Sequence, residues 1–258
     1  MCGACFPAAS RRGFLGLAAA AALCACTDNA ETGRSQLVLV SDGQLGQMAD
    51  AAWTELTARI PRVRDPAVHA RLARIGAPLA EASGRDDLDW EFVVFDSPEF
   101  NAFVLPNGKV GFFRGLLDFA RDDSEVGAVL GHEVGHIIAR HPAERISQEL
   151  AVQAGVGLAQ VLLSGEDGRY AGEIAGALGM GAVYGLILPY SRRHELEADR
   201  LGVDLMRGTD LDPTAALRFW TRMIARQADQ PRPIEALSTH PADARRLAEL
   251  EAAIAAPA

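Results

Sequence analysis

Two histidines and a glutamate stand at a spacing that suits metal chemistry. His132, Glu133 and His136 belong to the motif HEVGH. Residues four apart lie on one face of a helix, so both imidazoles can bind one ion. Zinc held in this way lowers the pKa of a bound water, and the adjacent glutamate can take its proton as general base. The motif predicts a zinc-dependent hydrolase with Glu133 as a catalytic residue.

The histidine pair alone is an incomplete site, because a catalytic zinc takes three protein ligands and one open position. A third histidine six residues after His136 would complete one pattern, but Pro142 stands there. His141 is one residue off that pattern, and we expect it to lie at a helix end, where a histidine is favourable. The third ligand must therefore come from another segment.

The segment SRRHELEAD, residues 191–199, is the best source of that ligand. It places Glu195 and Asp199 four residues apart on one helix face, while Glu197 points elsewhere. One carboxylate can bind zinc while the other holds a histidine ligand or a proton. On spacing alone, the segment is equally compatible with a solvated acidic helix face.

Composition limits the remaining classes of function. All four cysteines lie within the first 26 of 258 residues, so the rest of the chain has no disulfide and no thiolate metal site. The net charge is −9 and Lys109 is the only lysine. Because an acidic chain without a basic stripe binds nucleic acid poorly, we expect no such partner.

The N-terminus has the features of an export signal and a lipid anchor. Residues 10–15, SRRGFL, resemble a twin-arginine motif, and the apolar run after them is too short to span a bilayer. Residues 23–26, LCAC, resemble a lipobox with Cys26 as the lipidated residue. Acyl chains would hold the protein on a membrane without spanning it. The alternative is a plain cleaved signal with incidental cysteines.

Apolar periodicity and turn residues predict a mainly helical α+β protein with a small sheet. The expected organisation is a signal over residues 1–26, a tether over 27–40 and a single domain over 41–258. Expected elements are helices over 41–60 and 65–82, a strand over 90–95, a hairpin of 101–105 and 109–113 around Pro106-Asn107-Gly108, and helices after residue 114.

The stretch between the predicted ligands is apolar and rich in glycine. Residues 171–189 are nearly long enough for a membrane span, but Glu173 and the glycines weaken that interpretation. We expect soluble core or a mobile flap, and we hypothesise that residues 151–189 gate access to the metal.

Taken together, HEVGH and SRRHELEAD resemble the zinc metallopeptidase family that contains the CAAX prenyl protease, HtpX-type and BepA-type enzymes (peptidase family M forty-eight). NAFVLPNG, residues 101–108, and LSTHP, residues 237–241, resemble further family segments. The resemblance implies a zincin-like metallopeptidase domain with one zinc per chain, held by His132, His136 and Glu195. It assigns Asp199 as a proton donor or as the partner of a ligand.

The resemblance also implies roles for the C-terminal part of the chain and for the sheet. His240 can approach the metal and block the water position, as in BepA-like members; the alternative is a loop histidine that caps a helix. Arg246 is a candidate for steadying charge in the transition state. The second hairpin strand, 109–113, is expected to line the cleft and could bind an extended peptide at an exposed edge; the alternative is an ordinary internal hairpin.

The chain therefore resembles a compact lipoprotein member of the family. The expected function is a zinc endopeptidase on the periplasmic side of an outer membrane, which degrades unfolded or misassembled envelope proteins. The alternatives are an envelope chaperone or assembly factor whose zinc is largely blocked by His240, and a helical membrane lipoprotein without zinc. Nothing in the sequence indicates an oligomeric state.

Overall fold

The computed structural model describes residues 26–164, 190–228, 234–241 and 243–257. In chain order, the elements in these ranges are β1 Cys26–Asn29, β2 Arg34–Leu37, α1 Asp42–Arg59, α2 Pro66–Ala82, β3 Glu91–Phe95, β4 Ala102–Val104, β5 Lys109–Phe113, α3 Arg114–Phe119, α4 Asp123–Ile138, α5 His141–Ser164, α6 Arg192–Arg207, α7 Thr214–Ala228, α8 Glu235–Thr239 and α9 Ala244–Ala255. The predicted α+β class, mainly helical with small sheets, is confirmed.

Helices α1 and α2 begin at capping residues. Ser41 accepts a hydrogen bond from the backbone N–H of Gln44, whose side chain accepts one from the N–H of Ser41 in return. Asp65 caps α2 by accepting from the N–H of Ala67, and Pro66 occupies the first helical position. The two helices agree with the predicted ranges 41–60 and 65–82.

The three-stranded sheet has the order β3–β5–β4, in which β5 runs parallel to β3 and antiparallel to β4. The predicted hairpin turn is present, with Gly108 at a φ of 86°. The prediction that residues 109–113 form an exposed edge is wrong. β3 pairs with the other side of β5, which leaves β4 as an edge strand instead.

Helices α4 and α6 pack with their backbones in close approach. A Cβ atom added at Gly135 would lie 2.7 Å from the carbonyl oxygen of Ala198, and one at Gly131 would lie 3.1 Å from that of Gly202. Only glycine permits this contact, because a side chain at either position would push the helices apart. The packing brings the HEVGH segment against SRRHELEAD.

Residues 26–37 form a docked antiparallel hairpin, with β1 paired to β2. Gln36, which is buried, donates from Nε2 to the carbonyl oxygen of Ala139 at 2.7 Å. The prediction of a tether over 27–40 is therefore wrong for this hairpin. Contacts between Gln36 and a residue about 100 positions later in the chain hold the hairpin on the domain, which a sequence pattern does not show.

Residues 1–25 and 165–189 lie outside the described residues. They include the predicted signal up to Cys26 and most of the hypothesised gate; α5 covers the gate segment only as far as Ser164. None of the helices in the described ranges combines the length and the apolar character that crossing a membrane requires.

Candidate active site

Helix α4 carries the histidine pair. Asp122 caps it by accepting a hydrogen bond from the N–H of Glu125 at 2.8 Å. His132 and His136 lie one turn apart, both are buried, and their Nε2 atoms are 3.2 Å from each other. Glu133, between them in sequence, is also buried.

Helix α6 brings a carboxylate to this pair. Ser191 caps the helix by accepting from the N–H of His194, which places Glu195 in its first turn. Glu195 is fully buried, with Oε2 3.4 Å from Nε2 of His132 and Oε1 3.4 Å from Nε2 of His136. The structure therefore brings the three predicted ligands together.

His240, at the end of α8, is a fourth member of this group. Its Nδ1 lies 3.2 Å from Nε2 of His132 and 3.1 Å from Oε1 of Glu195. One nitrogen or oxygen atom from each of the four residues lies within 4.8 Å of the others. We call His132, His136, Glu195 and His240 the metal cluster.

The metal cluster has the dimensions of a zinc site. Bonds of about 2.0–2.1 Å in a tetrahedron place ligand atoms about 3.3 Å apart. Five distances between ligand atoms, taken with either oxygen of Glu195, lie between 3.1 and 3.4 Å, and one atom from each residue lies within 4.8 Å of the others. Oε2 of Glu195 is buried without a hydrogen bond, although Nη1 of Arg246 lies 2.7 Å away. A shared cation would explain why acceptor atoms converge here.

The ring of His240 lies between Glu133 and the other three residues of the metal cluster. Its Nε2 lies 3.3 Å from Oε1 of Glu133, while its Nδ1 faces the cluster. A catalytic zinc needs an open position for water, and structural zinc has none. The structure thus places His240 where it could serve as a fourth ligand of a zinc ion held by the other three residues.

Asp199 and Arg246 contact two of the ligands, His132 and Glu195, without belonging to the metal cluster. Asp199 holds Nδ1 of His132 at 2.8 Å, which leaves Nε2 for the metal. Arg246 donates to both oxygens of Asp199 at 2.7 and 2.9 Å and is only 2% exposed. Of the two roles implied for Asp199, this geometry matches the partner of a histidine ligand. Arg246 organises carboxylates here, and its contact with a transition state stays a prediction.

Charge and burial set the protonation of the ligands. Burial lowers the pKa of His136 well below its usual range. Burial acts in the same direction on His132, but the carboxylates of Asp199 and Glu195 outweigh it and raise its pKa to about 9. Although burial opposes it, the charges of His240 and Arg246 hold the pKa of Glu195 well below its usual range. His132, His136 and Glu195 would hold a zinc ion, and Glu195 would meet it as a charged carboxylate.

His141 belongs to the site, although the sequence analysis assigned it no role there. It is fully buried, with Nδ1 2.9 Å from Nδ1 of His136 and Nε2 2.9 Å from Oε2 of Glu197. The prediction that His141 lies at a helix end is confirmed, since it begins α5, but its contacts with His136 and Glu197 were not predicted. Arg140 has a φ of 55°, which ends α4 and turns His141 back towards His136. Spacing gave no signal for this turn, because arginine rarely adopts such a φ.

Arg34 of β2 joins two carboxylates beside His141. It donates to Glu197 at 2.7 and 2.9 Å and to Glu144 at 2.8 and 2.7 Å. Nε2 of His194 lies 3.2 Å from Glu144. Burial works against it, but His194 and Arg34 lower the pKa of Glu144 to about 2. We call Arg34, His141, Glu144, His194 and Glu197 the hairpin cluster; none of its members was predicted as a site residue.

A narrow cleft runs between β4 and the metal cluster. Residues 101–105 line one side, with Glu133, Tyr190 and His240 on the other. Its free volume is about 40 Å³, enough for a few water molecules and not for a peptide. Leu105 and Asn101 carry the hydrogen bonds to β5, so the backbone groups of Ala102 and Val104 face away from that strand.

Comparisons with known proteins agree with this site. The model of peptidase family M48 matches residues 66–254. The mitochondrial metalloendopeptidase OMA1 of Schizosaccharomyces pombe is 35% identical over 209 residues, covering 80% of this chain and 59% of that protein. The OMA1 enzyme of Arabidopsis thaliana is 32% identical over 200 residues, covering 78% of this chain and 36% of that protein.

A bacterial relative is the beta-barrel assembly-enhancing protease of Escherichia coli, which is 29% identical over 233 residues, covering 87% of this chain and 47% of that protein. The chain thus spans between 36% and 59% of the length of these three relatives. The family match extends from the start of α2 almost to the end of α9 and includes all four residues of the metal cluster. The chain belongs to peptidase family M48.

Proposed function

We propose that this protein is a zinc-dependent endopeptidase. The observation that carries the proposal is the convergence of His132, His136 and Glu195 beside the buried carboxylate of Glu133. Zinc held there would supply Lewis acidity, which acidifies water and polarises a peptide carbonyl. The metalloendopeptidase relatives support the same chemistry.

Glu133 would act as the general base. Burial raises its pKa, although the positive charges of His240 and His132 oppose this effect. A raised pKa suits a group that takes a proton from the attacking water and then gives it to the leaving amine. Asp199 and Arg246 would hold His132 in place during this exchange.

The substrate would be an extended polypeptide that pairs with the edge of β4. The outward backbone groups of Ala102 and Val104 can form ladder hydrogen bonds with such a chain, independently of its side chains. Unfolded proteins offer extended backbone, whereas folded proteins do not. The cleft must widen first, because its free volume of about 40 Å³ is too small.

A second candidate function rests on the position of His240. With Nδ1 in the metal cluster and Nε2 next to Glu133, this residue completes a four-ligand site. A site closed in every state would make the protein a zinc-containing chaperone or assembly factor of the envelope. A site that opens when substrate binds would make His240 an inhibitory plug on a peptidase.

We propose that in the cell this protein is an envelope lipoprotein on the periplasmic side of an outer membrane. The support is the twin-arginine-like motif and the lipobox-like residues 23–26, with lipidation at Cys26. The proposed substrates are misfolded or misassembled envelope proteins, a role suggested by the name of the Escherichia coli relative. Radiolabelled palmitate incorporation that is lost in Cys26→Ala would support the anchor, and incorporation that persists would contradict it.

The proposed activity is tested with purified protein and a chemically unfolded protein substrate. The wild type should cleave it, a chelator should stop cleavage, and added zinc should restore it. Glu133→Gln should retain zinc and lose cleavage. If neither the wild type nor His240→Ala cleaves any unfolded substrate while both contain zinc, the assembly-factor function replaces the peptidase.

A further inference from the structure

Each histidine ligand has a second ring nitrogen, and the group bound there fixes the orientation of the ring. For His132 this group is Asp199, which lies in the SRRHELEAD segment. For His136 it is another histidine, His141, with the two Nδ1 atoms 2.9 Å apart. A neutral imidazole can serve in this position only if its own tautomer is fixed in turn.

The proton positions along this chain of side chains follow from the donors and acceptors present. If Nε2 of His136 faces the metal, its proton is on Nδ1 and is donated to Nδ1 of His141. His141 must then carry its proton on Nε2, which donates to Oε2 of Glu197 at 2.9 Å. Glu197 therefore determines which nitrogen of His141 can accept from His136.

Glu197 depends on Arg34 for its position and charge. Arg34 binds both of its oxygens, at 2.7 and 2.9 Å, from a strand 163 positions earlier in the chain. The side chain of Arg34 is only 10% exposed, and both its carboxylate partners are largely buried. Arg193 also contacts Glu197, at 3.0 Å, but its side chain is 65% exposed and it binds only one oxygen.

We propose that Arg34 is a positioning residue of the metal centre, which fixes the ring of His136 through Glu197 and His141. This inference rests on the proposed metal site. It makes the hairpin β1–β2, which begins at the predicted anchor residue Cys26, a structural part of that site. Full metal affinity then requires the hairpin to be docked.

The test is a double-mutant cycle on zinc affinity, measured in the full chain by competition with a chromophoric chelator. The variants are Arg34→Leu, His141→Leu and the double variant, and Arg193→Leu is the matched control. Each of the first two should weaken zinc binding by about 10–100-fold, the usual effect of losing an outer contact of a ligand. Because both changes break one chain of contacts, the double variant should be no weaker than the more affected single variant.

A control variant and the spectrum of bound cobalt(II) distinguish the proposed positioning role of Arg34 from a general effect on folding. Arg193→Leu should stay within about twofold of the wild type, since exposed ion pairs contribute little. The visible absorption of bound cobalt(II) should change in Arg34→Leu and His141→Leu alike and not in Arg193→Leu. If Arg34→Leu does not fold, Arg34→Lys replaces it, because lysine keeps the charge but cannot bind two carboxylates as arginine does.

Three results would overturn the inference. A folded Arg34→Leu with the zinc affinity and cobalt spectrum of the wild type would do so, and so would losses that multiply in the double variant. In both cases the proposed function would stand, because the wild type still binds zinc. A wild type that binds no zinc would remove the proposed function and this inference together.

Discussion

The metal cluster and the hairpin cluster lie side by side and use the same residue types, but they differ in what their side chains face. In the metal cluster, His132, His136 and Glu195 turn nitrogen and oxygen atoms towards one another at 3.2 to 3.4 Å. In the hairpin cluster, each imidazole faces a carboxylate, and both carboxylates face Arg34. Atoms that could bind a metal converge in the first arrangement, whereas the second is centred on the guanidinium group of Arg34.

This difference shows that buried histidines and glutamates do not indicate a metal by their presence alone. Arg34 donates hydrogen bonds to both Glu144 and Glu197, so each carboxylate of the hairpin cluster has a cationic partner. The metal cluster has Arg246 on one side only, where it binds Asp199 and approaches Glu195. We therefore expect the loss of a metal-cluster residue to act mainly on zinc binding, and the loss of Arg34 to act on stability as well as on zinc affinity.

The largest effect should follow from the loss of a ligand. His136→Ala should weaken zinc binding by more than about 100-fold, which is the upper effect of losing an outer contact, and cleavage should become undetectable. Metal analysis and an assay on an unfolded protein measure both. Glu144→Gln, in the hairpin cluster, is the matched control. Equal zinc contents in His136→Ala and the wild type would show that the metal cluster is not the zinc site.

Replacing the proposed general base Glu133 should slow peptide cleavage without changing zinc binding. Glu133→Gln should lower the cleavage rate by about 10²–10⁴-fold, because proton transfer by a positioned base contributes about that factor. Zinc content should stay at the wild-type level, since Glu133 is not among the four converging residues. Cleavage at the wild-type rate in Glu133→Gln would remove the general-base role.

A substitution that breaks the hairpin cluster should lower the free energy of unfolding. Arg34→Leu removes the cation that two largely buried carboxylates share and should lower the free energy of unfolding by about 3–5 kcal/mol. Arg193→Leu should lower it by at most about 1 kcal/mol. Denaturant unfolding of the zinc-free variants makes the comparison, and equal stabilities would show that Arg34 is no more than a surface residue.

His240 is the residue proposed to block the metal cluster. His240→Ala should raise the cleavage rate by about tenfold if the plug is closed in about nine molecules of ten. The variant should still bind zinc through His132, His136 and Glu195. An unchanged or lower rate at full zinc occupancy would show that His240 does not limit access.

Acid should weaken the hairpin cluster through Glu144. Its pKa is about 2 in the folded chain, against an ordinary value of 4.5, so its stabilisation is present above about pH 4.5 and is lost as the pH falls towards 2. The expected loss is about 1 kcal/mol by about pH 3.5. Unfolding of the zinc-free protein from pH 6 to about pH 3.5 measures it, and Glu144→Gln should flatten the curve. A wild-type curve as flat as that of Glu144→Gln would contradict this prediction.

Many helices, the hairpin turn and most metal ligands could be predicted from the sequence, because the residues that specify them lie close together in the chain. The capping residues Ser41 and Asp65 predict where helices start, and Asn107-Gly108 predicts a hairpin turn. HEVGH and SRRHELEAD contain their ligands at helical spacing, so two short segments specify three of the four converging residues.

The remainder depends on contacts between distant residues. The sequence does not show on which side of β5 the strand β3 pairs, so the edge strand was predicted wrongly. Arg34 lies in the range predicted as a tether. Its partner Glu197 is 163 positions away in the chain, so no local pattern indicates their contact. His141 reaches His136 only through the positive φ of Arg140. Only the tertiary structure reveals contacts of this kind.

X-ray absorption at the zinc edge of the purified protein is the most direct test of the metal cluster. We predict one zinc per chain with nitrogen and oxygen ligands at about 2.0–2.1 Å, three of them imidazoles when His240 is bound. His240→Ala should reduce the number of imidazoles to two. Zinc surrounded by water alone, or a spectrum that does not change in His136→Ala, would contradict the assignment of this site.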